Sequence, residues 1–149
     1  MNTPAKIIIA GAGFGGLAAA HRLRSLLPQA SITLVDQASH FAMGFRKTDE
    51  VLGRAPLSQT SRPLAALERF GIEVIQACIE EIDPDDLAIT ADGETITGDA
   101  LLIGLGAETA PEAIPGLEDH GFDVYSNAGA RAAGSALEQI STGARIVVA

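Results

Sequence analysis

The spacing of apolar residues along this chain changes from segment to segment, and each change marks an element. Ile7 to Ala10 is apolar at every position and largely β-branched. A run without alternation suits a central parallel strand covered on both faces. Leu17, Ala20, Leu23 and Leu27 then recur at spacings of three and four, with Pro28 just after them, which predicts a helix and its end. A second apolar strand follows at Ile32 to Val35. A helix of roughly residues 62 to 70 leads through Gly71 into a strand at Ile72 to Gln76. From there the period falls to two. "IEEI", "LAIT" and "ETIT" alternate around the turns Asp83-Pro84-Asp85-Asp86 and Ala91-Asp92-Gly93-Glu94, as an antiparallel meander does. A further buried strand, "ALLIGLG", closes at Gly106. A helix of roughly residues 128 to 140 comes next, and a last apolar run, "ARIVVA", reads as one more strand.

Chemistry enters at the junction of the first strand and the first helix. Gly11-Ala12-Gly13-Phe14-Gly15-Gly16 matches G-x-G-x-x-G at Gly11, Gly13 and Gly16. The first glycine permits a tight turn, the second lets a pyrophosphate approach the backbone, and the third lets the helix pack on the strand. The helix then presents its N-terminal amides and dipole to the phosphates. Asp36 closes the second strand, where an acid accepts hydrogen bonds from an adenosine ribose and repels a 2′-phosphate. Glycines that served helix packing alone would account for Gly16 but not for Gly13 together with Asp36. A simple NAD-binding domain would go on alternating helix and strand, whereas this chain inserts a meander.

Composition narrows the picture. The chain has 149 residues, 47% of them apolar, with frequent glycine and few aromatics, which suits an α/β core. It can bury one core but is short for an enzyme carrying a large cofactor and a substrate. Residues 1 to 62 hold seven Lys/Arg and three Asp/Glu, whereas residues 63 to 149 hold three and sixteen. So acidic a second part disfavours nucleic acid, whose affinity comes largely from phosphate neutralisation. No apolar run is long enough for a transmembrane segment, and a cytoplasmic location is expected. The single cysteine, Cys78, rules out an internal disulfide and a two-cysteine metal cluster, and is expected to be a small buried hydrophobe. His21 and His120 have no carboxylate or nucleophile at a telling spacing. No catalytic residue and no metal ligand is therefore assigned.

With these motifs in order, the chain resembles the N-terminal part of the FAD-dependent pyridine nucleotide-disulfide oxidoreductase superfamily. Within it the resemblance is to the branch of sulfide:quinone oxidoreductases, flavocytochrome c sulfide dehydrogenases and type II NADH dehydrogenases. "GAGFGGLAAAHRLRSLLPQASITLVDQASHF", "GIEVIQACIEEIDPDDLAITADGETITGDALLIGLGAE" and "AIPGLEDHG" carry it along nearly the whole chain. The implied fold is a Rossmann-like FAD-binding lobe with a parallel sheet and an antiparallel β-meander. The resemblance gives Gly11, Gly13, Phe14, Gly15 and Gly16 the FAD pyrophosphate and Asp36, with Gln37 beside it, the adenosine ribose. It sets the backbone of Ile79 against the adenine and Gly106 beside the pyrophosphate. Two departures stand out. Gly104-Leu105-Gly106 replaces the family's A-T-G, losing a threonine hydroxyl, and Met43, Gly44, Phe45, Arg46 and Lys47 follow Phe41 where relatives bring apolar residues and a proline towards the flavin.

The same resemblance divides the chain into an FAD-binding lobe at residues 1–110 and, at 111–149, a linker, a helix and the first strand of an NAD(P)H-binding domain. On this reading the chain is an N-terminal fragment, inactive alone. Its parent is an FAD enzyme passing electrons from a small-molecule donor, NAD(P)H or sulfide, to a quinone or similar acceptor. A peripheral membrane contact and a homo-oligomer of the parent stay open. The alternative from another class is a non-catalytic nucleotide-binding or sensing module.

Overall fold

β1 (Lys6–Ala10) lies inside a parallel sheet because both of its faces find a cover. In the computed structural model, which describes residues 3 to 148, Ile7 and Ile9 of β1 join one buried cluster while Ile8 and Ala10 join another. That division explains the unbroken apolar run: alternate side chains of a strand point to opposite faces, and here neither face is wet.

After the glycine turn the chain forms α1 (Phe14–Leu26), then β2 (Ser31–Asp36). Two short strands, β3 (His40–Ala42) and β4 (Ser61–Pro63), form a sheet of their own. Between them lie α2 (Lys47–Val51) and α3 (Leu57–Thr60). A 3-10 helix at Leu64–Phe70 occupies the place of the expected helix and ends at Gly71, whose φ of +72° only glycine adopts readily. β5 (Ile72–Gln76), β6 (Ile79–Asp83), β7 (Ala88–Ala91), β8 (Glu94–Thr97) and β9 (Ala100–Ile103) follow. The chain then runs through α4 (Leu117–His120) to α5 (Asn127–Glu138).

The main sheet has the order β5-β2-β1-β9, all parallel, and β6-β7-β8 form the antiparallel meander. Mixed α/β architecture with a parallel sheet and a meander is thus what the chain forms. One sheet face carries Ile7, Ile9, Ile32, Leu34 and Ile72 against Ala20 of α1 and Leu64 and Leu67 of the 3-10 helix. The other carries Ile8, Ala10 and Val35 against Ile89 and Ala91 of the meander, with Ile79, Ile82 and Ile96 packed around them. Each fully buried Ile or Leu contributes roughly 1.5–3 kcal/mol. Asp92 and Gly93, at φ of 48° and 79°, make the β7–β8 turn with both central residues left-handed, as a type I′ hairpin needs.

Leu17 and Leu23 of α1 pack half-buried on the first cluster, but Leu27 lies past the helix end and is exposed. Arg24 closes that end. Its guanidinium donates to the carbonyl oxygens of Pro28 and Ala30 at 3.0 and 2.8 Å and to that of Gly71 at 2.6 Å, joining the turn after α1 to the turn before β5.

The residues divide into two compact units, Met1–Phe41 with Arg62–Ala107, and Ala42–Ser61 with Glu108–Ala149. In the second, α2 packs on α5. Gly134 allows it: a Cβ there would sit 3.0 Å from the Glu50 carbonyl oxygen. Ser126 caps α5 by accepting from the Gly129 amide at 2.9 Å, and the Asp123 carboxylate accepts from the amides of Tyr125 and Ser126 at 2.6 and 3.0 Å. Of the final run, Ala149 lies outside the described residues and the rest does not become a strand. Residues 144–148 pair with no described strand, and Val147 and Val148 are exposed, because β propensity without a neighbouring edge leaves the backbone groups to water. Among the described residues no helix is long and apolar enough to cross a membrane.

Two outcomes follow from this packing. A Cβ at Gly16 would lie 1.9 Å from the Gly11 carbonyl oxygen. Gly16→Ala should therefore cost on the order of 3 kcal/mol, read as a lower urea midpoint at unchanged m-value. In the second unit, the hydrogen bond with the Ser126 side chain outweighs the opposing effect of burial and, with the Tyr125 and Ser126 amides and the nearby Lys47 charge, holds the Asp123 carboxyl below its ordinary 3.8. A depressed carboxyl stabilises the folded state above the unfolded value, and that contribution fades as pH falls below about 4. Asp123→Asn should flatten that part of the acid-unfolding curve followed by α5 helicity.

Candidate functional site

The glycine turn links β1 to α1, and its three motif glycines stand in unlike surroundings. Gly11 has φ +99°, and a Cβ on it would lie 2.5 Å from the Gly104 carbonyl oxygen. Gly16 cannot carry a side chain either, for the reason above. Both are demanded by the chain's own packing. Gly13 is different. It is exposed with an ordinary φ of −71°, and the nearest atom to a Cβ on it is 3.9 Å away. Gly15 has nothing within 4 Å. No intrachain contact asks for glycine at either place.

Gly13 is also the N-cap of α1. It brings no side-chain cap, and the first turn holds no acidic residue. The helix thus opens with exposed amides and an uncompensated dipole, an arrangement that favours an anion. A flat phosphate oxygen can approach such a surface where a methyl group would stand in its way. The residues present therefore fit a pyrophosphate, and Phe14 and Gly15 are exposed in the first turn of the helix. Phe14 leans edge-on against Phe41, ring centres 5.0 Å apart at 84°.

Asp36, half-buried at the end of β2, accepts from the amides of Ala12 at 2.6 Å and Ala38 at 2.7 Å. Its carboxylate therefore touches the glycine turn directly. The Asp36 carbonyl accepts from Ala77 at 3.1 Å, and Ile79 lies half-buried two residues further on, at a register shift in the β6–β7 ladder. Gln37 is exposed beside Asp36, its carbonyl accepting from the Gln76 side chain at 3.3 Å.

Gly104, rather than Gly106, meets the turn. Its amide donates to Ala10 at 2.7 Å and its carbonyl lies against Gly11, whereas Gly106 is exposed at φ +82° two residues beyond. The repeated glycines of "GLG" were the signal for this contact. The amides of Ala12 and Ala38 gave none, since any residue but proline supplies one.

Cys78 corrects an expectation: it is exposed, and Ala77 takes the buried place between β5 and β6. The Cys78 amide donates to the Asp92 carboxylate at 3.0 Å and its carbonyl accepts from the Asp92 amide at 3.1 Å. This polar closure turns the side chain outward.

A model of the pyridine nucleotide-disulphide oxidoreductase family matches residues 5–148. The chain is similar to the sulfide-quinone reductase of Aquifex aeolicus (strain VF5), 36% identical over 111 residues, which is 67% of this chain and 24% of that protein. It is also similar to the alternative NAD(P)H-ubiquinone oxidoreductase C1, chloroplastic/mitochondrial, of Arabidopsis thaliana, 26% identical over 144 residues, covering 84% of this chain and 28% of that one. The crystal structure of the Aquifex aeolicus sulfide:quinone oxidoreductase superposes with a TM-score of 0.86 at 29% identity, over 91% of this chain and 32% of that one. The chain thus spans about a quarter to a third of the length of these relatives.

The exposure of Cys78 predicts that its thiol reacts with a disulfide reagent in the native protein about as fast as in urea. Protection of many hundredfold would mean that it is buried after all.

Proposed function

The chain belongs to the pyridine nucleotide-disulphide oxidoreductase family, and from that premise we propose that it is the FAD-binding N-terminal part of a flavin-dependent oxidoreductase moving electrons from NAD(P)H or sulfide to a quinone or similar acceptor. The donors and acceptor are those in the names of its relatives. The observation that carries the cofactor is Gly13, an exposed glycine at the uncapped start of α1 that nothing in the chain's own packing requires.

In this reading Gly11, Gly13, Phe14, Gly15 and Gly16 cradle the FAD pyrophosphate, with the amides of the first helical turn as donors. Asp36 and Gln37 lie at the adenosine ribose, the Ile79 backbone at the adenine, and Gly106 along the strand end beside the pyrophosphate. Residues 1–110 form the FAD lobe, and 111–149 lead towards an NAD(P)H-binding domain. Bound there, the flavin supplies the redox chemistry, and this chain supplies binding and electrostatics. No residue of the chain is given a catalytic role.

Gly13→Ala tests this reading, because the geometry leaves room for the methyl group in the empty fold but not beneath a phosphate. The variant should melt as the unaltered chain does, yet bind ADP and FAD roughly tenfold or more weakly by calorimetry, the equivalent of about 1.4 kcal/mol. Equal affinity, or no affinity for either nucleotide in the unaltered chain, would overturn the assignment.

A further inference from the structure

We propose that Asp36 is a positioning residue as well as a ribose acceptor: its carboxylate shapes the glycine turn before any nucleotide arrives. This rests on the reading of the turn as a nucleotide site. Both carboxylate oxygens are already engaged in the chain itself, Oδ2 by the Ala12 amide at 2.6 Å and Oδ1 by the Ala38 amide at 2.7 Å. Ala12 stands between the two glycines that matter most, Gly11 with its left-handed backbone and Gly13 with its open face. It is buried at 5% exposure, so its amide has no ready access to water.

Removal of the carboxylate orphans that donor. An unsatisfied buried amide is costly, and the turn would relax to find another partner. The neighbouring restraints do not replace it. Gly11 is held by its amide to the Val35 carbonyl at 2.8 Å, and the Gly13 carbonyl by the Leu17 amide at 3.0 Å. Both flank Ala12 without fixing its peptide plane. A charge-assisted bond at 2.6 Å sets that plane, and with it the direction of the amides that follow.

Each carboxylate oxygen keeps a second lone pair, so a ribose hydroxyl can still be accepted. The turn geometry and the ribose contact are thus two separable functions of one side chain. The first acts on the phosphates through Ala12, and the second acts on the sugar. A residue serving the ribose alone would matter only to ligands that carry the hydroxyls.

Asp36→Ala separates them, with ADP and 2′,3′-dideoxy-ADP as probes and amide exchange as a nucleotide-free readout. We expect the Ala12 amide to exchange at least about tenfold faster in the variant without nucleotide, while the sheet amides of Ile9 and Leu34 keep their rates. The variant should lose affinity for dideoxy-ADP through the turn alone, and should lose more for ADP, where the ribose contact goes as well. An unchanged Ala12 rate, or a loss that vanishes with dideoxy-ADP, overturns the proposal. Should the variant fail to fold, the unaltered chain decides: a bonded Ala12 amide must exchange far more slowly than the exposed amides of Gly13 and Gly15, and parity would overturn it. Absence of ADP binding to the unaltered chain defeats the nucleotide reading, whereas the exchange of Ala12 judges the clamp independently.

Discussion

The contact on which the first unit depends is backbone against backbone. Gly11 is touched from two sides: Gly104, just past β9, presses its carbonyl towards the Gly11 α-carbon, and the start of α1 crosses over the Gly11 carbonyl at Gly16. No side chain intervenes in either contact, so the distances are set by van der Waals radii rather than by packing choices. That fixes how closely α1 lies over β1 and where β9 ends beside it. The register of β1 with β9, Ile7 to Ala100 through Ala10 to Ile103, agrees with this approach. Around it the two apolar clusters can be filled in several ways, but the glycines cannot be exchanged.

Much of this was legible in the chain because the constraints are local. An apolar run without alternation announces a strand with two covered faces, and Ile7, Ile8 and Ile9 divide between the clusters as that demands. Turn chemistry located the meander: Asp83 accepts from the Asp85 and Asp86 amides at 3.0 Å, and Asp92-Gly93 takes the left-handed pair of angles. The candidate site was legible as far as its glycines and its acid. Missing were the partners whose identity does not matter, above all the Ala12 and Ala38 amides, because a backbone donor leaves no mark in a sequence.

The misread places share a cause, which is that composition does not say what lies next door. Cys78 looked like a core residue, but it stands where the chain leaves the parallel sheet for the meander, and Asp92 closes that corner by accepting from the Cys78 amide with its carboxylate and donating its own amide to the Cys78 carbonyl. Leu64–Phe70 has helical spacing but only seven residues, and settles as a 3-10 helix. "ARIVVA" has every preference of a strand and no described edge to join. Met43 to Lys47, where relatives bring apolar residues and a proline towards the flavin, instead form a 3-10 turn at Gly44–Arg46 and the start of α2 in the second unit. Each is a tertiary outcome overriding a local preference.

The sheet order carries a consequence for the sequence of folding events. The hairpins β6–β7 and β7–β8 join residues close in the chain, and their turns close on the microsecond scale. The β1–β9 pairing joins strands at opposite ends of the unit, and its closure entropy is met only when the intervening chain has collapsed. Gly104, which backs the glycine turn, lies just after β9. During synthesis, therefore, β1, α1 and β2 emerge from the ribosome first and wait with the turn unsupported. Its final shape is set only after residue 104 has cleared the exit tunnel, so the glycine turn stays unfinished in a nascent chain until nearly the whole unit has been made.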